Sequence, residues 1–532
     1  ELQKLRYEFK SESDTEVMLN CYLEYGMDSL NKIEGMFAFA LVDFSKSTMY
    51  LVRDRMGIKP LYYYNSGKAL SFGSEIKALI KSGICEPEID PAGLKDYIHT
   101  QLYIGDKTLF KNVKTLEPGT YMSIDYSSGL VQHHVYWDVP DDELNITYDE
   151  AIECLKHEIK NAVKLWSRAD VPIASYISGG LDSSLVATIA SGYINKSLQD
   201  KLYTFSSVFP QAEFKDEREY SDAVADKIKS EHHRVILPED EIIEAHKELL
   251  YTLDMPIAGY SAPYQVLSSI VRETSRVVLT GHGGDELFCG YPKYIAAFMA
   301  KELNDGSHND SGSLKLDYLK YLKGFEKQAK NIISKSLFGG EKDIIESLYF
   351  RSEHLWEFVH PDIQRETKDY DVAEILLGIY SRRRTGYLKR LLYLDQKTLL
   401  PGLLHVEDRT SMRENLESRT PLLDRRIVEF AARMPEQYLL RDGLKGMIRR
   451  VANDFLPQKV AGNPSKSGTM YPAAELFENK MRDSVQHTVK ELDNFPVFTK
   501  SAVEILGARE ELVNKRILWG IWSIASWLKS YF

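Results

Sequence analysis

The run Tyr176-Ile177-Ser178-Gly179-Gly180-Leu181-Asp182-Ser183-Ser184 constrains this chain more than any other segment. A short apolar stretch, Val171 to Ile177, precedes it and reads as a buried strand. Leu185, Val186 and Ile189 follow at the spacing of one helix face. A glycine- and hydroxyl-rich turn therefore joins a strand to a helix N-terminus. Such a turn offers backbone N–H groups and a favourable dipole to an anion. Gly179 and Gly180 allow close backbone approach to a phosphate, and Ser178, Ser183 and Ser184 add hydroxyl donors. Asp182 sits badly beside phosphates unless a divalent cation lies between them. An ordinary capped strand-to-helix turn is the plainer alternative.

The pattern from residue 150 onward extends the first strand into a sheet. A helix over Tyr148 to Trp166 leads to the strand at 171–177 and the helix at 183–192. Strands follow at Tyr203 to Val208, His233 to Ile236 and Arg276 to Thr280. Helices at Glu219 to Ser230 and Ala262 to Glu273 separate them. This alternation predicts an α/β fold with a doubly wound parallel sheet. Ligands of such sheets bind beyond the carboxyl ends of the strands, so the loops after residues 177, 208 and 280 should converge.

At 532 residues the chain is too long for one core. Residues 1–138 read as mostly β, with hairpins at Met36–Asp43/Thr48–Arg53 and at Tyr62–Tyr64/Ala69–Phe72. The acidic, proline-containing stretch 139–150 reads as a linker, 151–532 as the second domain, and 301–345 as an exposed insertion. A 43% hydrophobic content and a net charge of -11 describe an ordinary protein and argue against a general polyanion binder. Arg382-Arg383-Arg384 reads as a solvated helix face. Four scattered cysteines lack metal spacing and suit a reducing compartment, hence the cytoplasm. The tryptophan-rich tail from Arg516 reads as a packing helix, because its polar face lacks the Lys/Arg of a membrane-surface helix.

The second glycine-rich loop, Thr280-Gly281-His282-Gly283-Gly284-Asp285-Glu286-Leu287-Phe288-Cys289-Gly290-Tyr291, also follows a strand. Asp182 and Asp285 should face one another there and suit Mg2+ with a polyphosphate. Helix capping is the competing reading of Asp285.

SGGLDSS resembles the pyrophosphate loop of ATP pyrophosphatases that make acyl-adenylates: asparagine, β-lactam, GMP and argininosuccinate synthetases. The second loop, Glu407-Asp408-Arg409-Thr410-Ser411-Met412, Leu416-Glu417-Ser418-Arg419-Thr420-Pro421-Leu422-Leu423-Asp424, Gly443-Leu444-Lys445-Gly446 and Lys466-Ser467-Gly468 are similar to asparagine synthetase segments. Ser13-Asp14-Thr15-Glu16 and Arg53-Asp54-Arg55-Met56-Gly57-Ile58-Lys59-Pro60 resemble class II glutamine amidotransferases, which implies a partial Ntn-type αββα sandwich at the N-terminal end.

The resemblance implies a carbon–nitrogen ligase with glutamine as nitrogen donor, turning a carboxylate, aspartate first, into an amide through an acyl-adenylate. It places Tyr176, Ser207, Thr280 and Gly281 near the adenosine and 178–184 around the phosphates. Lys445 would stabilise phosphate charge, Asp182 and Asp285 would hold Mg2+, and Asp14 would bind glutamine. His282 departs from the acidic residue common at its position. An imidazole titrates near neutral pH, so it reads as a base oriented by Glu407 or Asp408, or as a simple hydrogen-bond donor.

The amidotransferase cysteine is expected upstream of Glu1, with the chain a fragment that uses ammonia rather than hydrolysing glutamine. Other acceptors (a sugar uronate, a peptide carboxylate, an intramolecular amide) and a non-catalytic derivative stay open. The expected partners are small molecules: ATP, aspartate or another carboxylate, and glutamine or ammonia. Neither nucleic acid nor membrane is expected, and a homodimer is one assembly open to the chain.

Overall fold

The computed structural model describes residues 1–208, 218–256, 261–304, 318–463, 487–499 and 515–532. In chain order the first strands are β1 (Ala38–Asp43), β2 (Thr48–Arg53), β3 (Tyr62–Asn65), β4 (Leu70–Gly73), β5 (Val113–Thr115), β6 (Thr120–Asp125) and β7 (Leu130–Val135). The later ones are β8 (Ile173–Tyr176), β9 (Tyr203–Val208), β10 (Glu231–Ile236), β11 (Val277–Leu279) and β12 (Glu417–Arg419). The chain forms two compact units, Glu1–Lys59 with Leu116–Asp138, and Pro60–Thr115 with Val139–Phe532.

The smaller unit holds one antiparallel sheet in the order β1-β2-β6-β7. Along β6 the residues Thr120, Met122 and Ile124 are buried while their neighbours are half-buried, as a two-residue period requires. The helix Asp14–Tyr25 begins where the Ser13 hydroxyl accepts the Thr15 N–H at 3.2 Å. The Arg53-Asp54-Arg55 stretch folds into a tight polar knot. Buried Asp54 accepts N–H groups from Phe37, Met56, Ile58 and Lys59 at 2.9–3.3 Å. Arg53 donates to the carbonyls of Gly57, Lys59 and Leu116. These bonds satisfy buried groups that would otherwise be costly.

The larger unit is built on a parallel sheet in the order β10-β9-β8-β11-β12. The helices Leu181–Ala190 and Arg218–Ile228 pack together as the chain steps from β8 to β9 to β10, and the right-handed rule for parallel crossovers assigns them to one face. The chain then returns past β8 to β11, so the helices Glu239–Leu253 and Ala262–Val271 cover the other face. The direction of strand addition therefore reverses between β8 and β11. This is the switch point where ligands of such sheets bind. The four strands expected from sequence are present, and β12 adds a fifth. No helix among the described residues is long and apolar enough to cross a membrane.

Residues 60–115, which the sequence groups with the first 138, pack within the larger unit. Tyr62, Ile76, Leu94, Tyr97 and Phe110 share one core with Trp519 and Trp527 of the C-terminal helix Lys515–Tyr531. That helix closes the core as expected. Polar contacts reinforce the same seam: Asp254 accepts the Ile76 N–H at 2.8 Å and pairs with Lys77 at 3.0 Å.

The stretch 139–150 is pinned to the unit that it enters. Arg383 pairs with Asp141 at 3.2 Å, and Lys389 with Glu143 at 3.0 Å. Arg383 is buried, which corrects its reading as part of a solvated helix face; the Asp141 carboxylate and the Ala432 carbonyl receive its guanidinium. Within the expected insertion, residues 318–345 carry the helix Glu326–Phe338 and the start of Glu341–Tyr349, with Tyr318, Leu322, Ala329 and Ile345 buried. Residues 305–317 and the Lys466–Gly468 loop lie outside the described residues.

Candidate active site at the switch point

The two glycine-rich loops meet. β8 ends in a turn whose polar atoms bond to one another: the Ser178 N–H donates to Ser183 Oγ at 3.2 Å, and the two hydroxyls lie 3.0 Å apart. Gly179 adopts a left-handed φ of 77°, which brings Gly180 to the N-cap of Leu181–Ala190. No side chain caps that helix, so its first N–H groups have no capping side-chain acceptor. From the other loop, Gly281 lies so close that a Cβ there would sit 2.6 Å from the Ser183 nitrogen and 2.9 Å from Asp182 Cβ.

Lys445 closes the arrangement. Its ammonium pairs with Asp182 and lies 2.9 Å from Asp285 Oδ1, so one cation joins a carboxylate from each loop. Burial works against the charge, but the two carboxylates outweigh it and hold the Lys445 pKa above the ordinary range. Lys445 is also one of the few non-glycine residues with positive φ, at 53°, as N-cap of the helix Gly446–Ala452. An observed backbone outlier of this kind points to a functional constraint. One turn further, Arg449 donates to the carbonyls of Ala461 and Asn463 at 2.6 and 2.7 Å.

The other candidate residues each have partners of their own within their units. Tyr176 shares a 3.2 Å hydrogen bond with Ser268 Oγ, and burial together with the Glu407 charge pushes its phenol up. Ser207 lies in β9, in register with Val235 of β10. Ser184 is buried, its N–H donating to the Gly180 carbonyl at 3.2 Å. Thr280 is buried, and its N–H donates to the Arg419 carbonyl at 2.9 Å. His282 turns its Nδ1 to Thr280 Oγ1 at 3.0 Å. Glu407 accepts instead from Ser418 Oγ at 2.7 Å, and Asp408 is buried beside it on the helix Tyr387–Arg413. Asp14 is exposed at the first turn of its helix in the smaller unit.

Glu286 and Tyr291 of the second loop pair with each other. The Tyr291 hydroxyl donates to buried Glu286, whose backbone carbonyl accepts from Gln396 at 3.1 Å. A carboxylate and a phenol five residues apart in a glycine-rich loop were the available signal. Lys293, two residues on, enters a separate buried cluster around Asp395.

The asparagine synthase family matches residues 155–529, and the glutamine amidotransferase domain matches residues 1–137. Similar proteins include two from Bacillus subtilis. Asparagine synthetase [glutamine-hydrolyzing] 3 is 24% identical, over 100% of this chain and 84% of that one. Asparagine synthetase [glutamine-hydrolyzing] 1 is 27% identical, over 99% of this chain and 82% of that one. Amidase chry2 of Gibberella zeae is 26% identical, over 88% of this chain and 74% of that one.

Proposed function

This chain belongs to the asparagine synthase family of ATP-using carbon–nitrogen ligases, and on that premise we propose that it converts aspartate to asparagine, releasing AMP and pyrophosphate. The aspartate side-chain carboxylate attacks the α-phosphate of ATP and pyrophosphate leaves. Ammonia then attacks the acyl-adenylate and AMP leaves. The nitrogen comes from glutamine, with residues 1–138 as a glutaminase domain in which Asp14 binds the glutamine amino group, or from free ammonia.

One observation carries this reading: a single ammonium, Lys445, joins Asp182 of the first loop to Asp285 of the second. Two loops from adjacent strands of a parallel sheet need such a device only if something between them must be held in register. We assign the phosphates to residues 178–184, where the uncapped helix N-terminus and three hydroxyls favour an anion. Tyr176, Ser207, Thr280 and Gly281 lie toward the adenosine. Lys445 exchanges its carboxylate partners for phosphate oxygens as charge develops on the departing pyrophosphate. Glu407 and Asp408 frame the acceptor side from the long helix.

Among the described residues no group of three or more His, Cys, Asp or Glu is placed to hold a metal by itself. Two carboxylates on one shared cation do fit a hard ion whose other ligands are polyphosphate oxygens. Asp182 and Asp285 would hold Mg2+, which when bound neutralises phosphate charge. A second reading, the same chemistry on another acceptor, is favoured by the similarity to a relative named as an amidase. ATP–pyrophosphate exchange across a panel of carboxylates tests both. Exchange with aspartate alone is the expected result. Exchange only with a different carboxylate selects the second reading, and no exchange with any carboxylate would overturn the proposal.

A further inference from the structure

The ring partner of His282 decides which of its nitrogens carries the proton. Nδ1 lies 3.0 Å from Thr280 Oγ1, and this is the hydrogen bond that the hydroxyl makes among the described residues. Thr280 is 2% exposed, and its N–H is already spent on the Arg419 carbonyl. A hydroxyl has one proton to give, and a buried donor left without an acceptor is costly. If Nδ1 carried the proton and donated to Oγ1, the threonine proton would have no acceptor among the described residues. If the hydroxyl donates to Nδ1, both groups are satisfied by one bond.

We infer that Thr280 is a positioning residue that fixes neutral His282 as its Nε2–H tautomer, so that the imidazole serves the site as a hydrogen-bond donor to an anionic oxygen and not as a base. A base would need the Nε2 lone pair, and the threonine contact gives that electron pair to Nδ1 instead. The inference rests on the amide-forming reading above. In that reaction negative charge grows on an oxygen twice, on the α-phosphate during adenylation and on the acyl carbon's oxygen during amine attack. A donor fixed before the charge appears costs no reorganisation. The loop geometry suits this task, because His282 adjoins Gly281, which packs against Asp182 and Ser183.

Nitrogen-15 NMR of histidine-labelled protein, with the His282 signals assigned by their loss in His282→Gln, reads the tautomer directly. The expected result is the Nε2–H pattern in the wild type, kept in Thr280→Ser and lost in the isosteric Thr280→Val. An Nδ1–H pattern in the wild type, or a pattern unmoved by Thr280→Val, overturns the inference. Should Thr280→Val fail to fold, the wild-type tautomer alone still decides. Kinetics give a second reading. Gln can donate from the position of Nε2, whereas ionised Glu can only accept. His282→Gln should therefore keep amide synthesis within about tenfold, and His282→Glu should lose at least about a hundredfold. The reverse order would restore the base. The NMR result stands whether or not any carboxylate is turned over, so failure of the tautomer and failure of the proposed reaction are distinguishable.

Discussion

Two partly buried lysines flank the same glycine-rich stretch, and both meet aspartate. Lys445 reaches Asp182 and Asp285 across a junction of two loops. Lys293 reaches Asp395 at 2.6 Å inside a packed cluster, where the hydroxyls of Tyr294 and Tyr349 also donate to the same carboxylate. The Lys293 ammonium lies 4.5 Å from the centre of the Tyr349 ring. The two sites differ in how closed they are. The Asp395 side chain is 0% exposed, against 21% for Asp285. Burial pulls the Lys293 pKa down and a single carboxylate does not restore it, whereas two carboxylates hold Lys445 firmly charged. Lys445 also carries the left-handed backbone and the glycine neighbours. A buried ion pair is therefore not in itself a functional signal. The signal is an ion pair with solvent access, strained backbone and room for its partners to change.

The sharpest way to break this comparison is to remove the closed carboxylate. Asp395→Leu leaves the Lys293 ammonium buried without its anion, an arrangement that costs about 3–5 kcal/mol. Thermal or urea unfolding should register that loss, while ATP–pyrophosphate exchange per folded molecule stays within about tenfold. A variant as stable as the wild type would place Asp395 outside the stabilising framework.

The open cluster should respond in the opposite way. Lys445→Met removes the cation that would balance phosphate charge, and exchange should fall about a hundredfold to a thousandfold. Asp285 keeps access to solvent, with 21% of its side chain exposed, so the unfolding midpoint should move less than in Asp395→Leu. Unfolding as severe as that of Asp395→Leu would erase the distinction between the two lysines.

The open site was more legible in the sequence than the closed one. Glycines, hydroxyls and an aspartate between a strand and a helix have a local signature, and Ser178–Ser184 and Gly281–Glu286 do meet. Asp395 carries no such signature, because its partners come from two other helices, Lys293 and Tyr294 from Pro292–Asn304 and Tyr349 from Glu341–Tyr349. The four strands Ile173–Tyr176, Tyr203–Val208, Glu231–Ile236 and Val277–Leu279 were readable from their apolar content. The fifth, Glu417–Arg419, has two charged residues in three positions, and its pairing with Val277–Leu279 is what makes it a strand. Leu130–Val135 was missed for a similar reason, since its histidines and glutamine lie on an exposed edge. The Thr280 partner of His282 is an i,i+2 contact at a strand end, which no helical or strand period marks.

A third buried titratable group sharpens the closed side of the comparison, because it carries no charge at all. His246 of the helix Glu239–Leu253 is 0% exposed and packs against the Trp519 and Trp522 rings at 5.0 and 6.1 Å. Burial pushes its pKa down to about 3. An unfolded histidine takes up a proton near pH 6.5. Between those values the unfolded chain holds the extra proton, so stability rises with pH through this window and is lost as pH falls below about 6.5. At pH 4 the loss due to this one group is about 3 kcal/mol, at about 1.4 kcal/mol per pH unit. His246→Phe should flatten that part of the acid limb in urea unfolding measured from pH 7 to pH 4. Equal slopes in the two proteins would show that the ring is already accessible to protons.

The smallest expected effect tests whether the open site depends on the two loops touching. Gly281→Ala would put a Cβ 2.6 Å from the Ser183 backbone nitrogen, an atom that cannot swing away as a side-chain tip can. Overpacking of this kind costs about 1–3 kcal/mol. The loops must part, and Asp182 moves away from the Asp285 carboxylate with which it shares the Lys445 ammonium. Apparent affinity for ATP should weaken by about tenfold, which corresponds to about 1.4 kcal/mol. Gly378→Ala is the matched control. It lies in the exposed part of the helix Val372–Tyr380, and a Cβ there meets nothing within 4 Å. Alanine in a helix interior is favoured over glycine by up to about 1 kcal/mol, so this variant should gain slight stability and bind ATP unchanged. If both alanines behaved alike, contact between the loops would not be what holds Asp182 and Asp285 on a common cation.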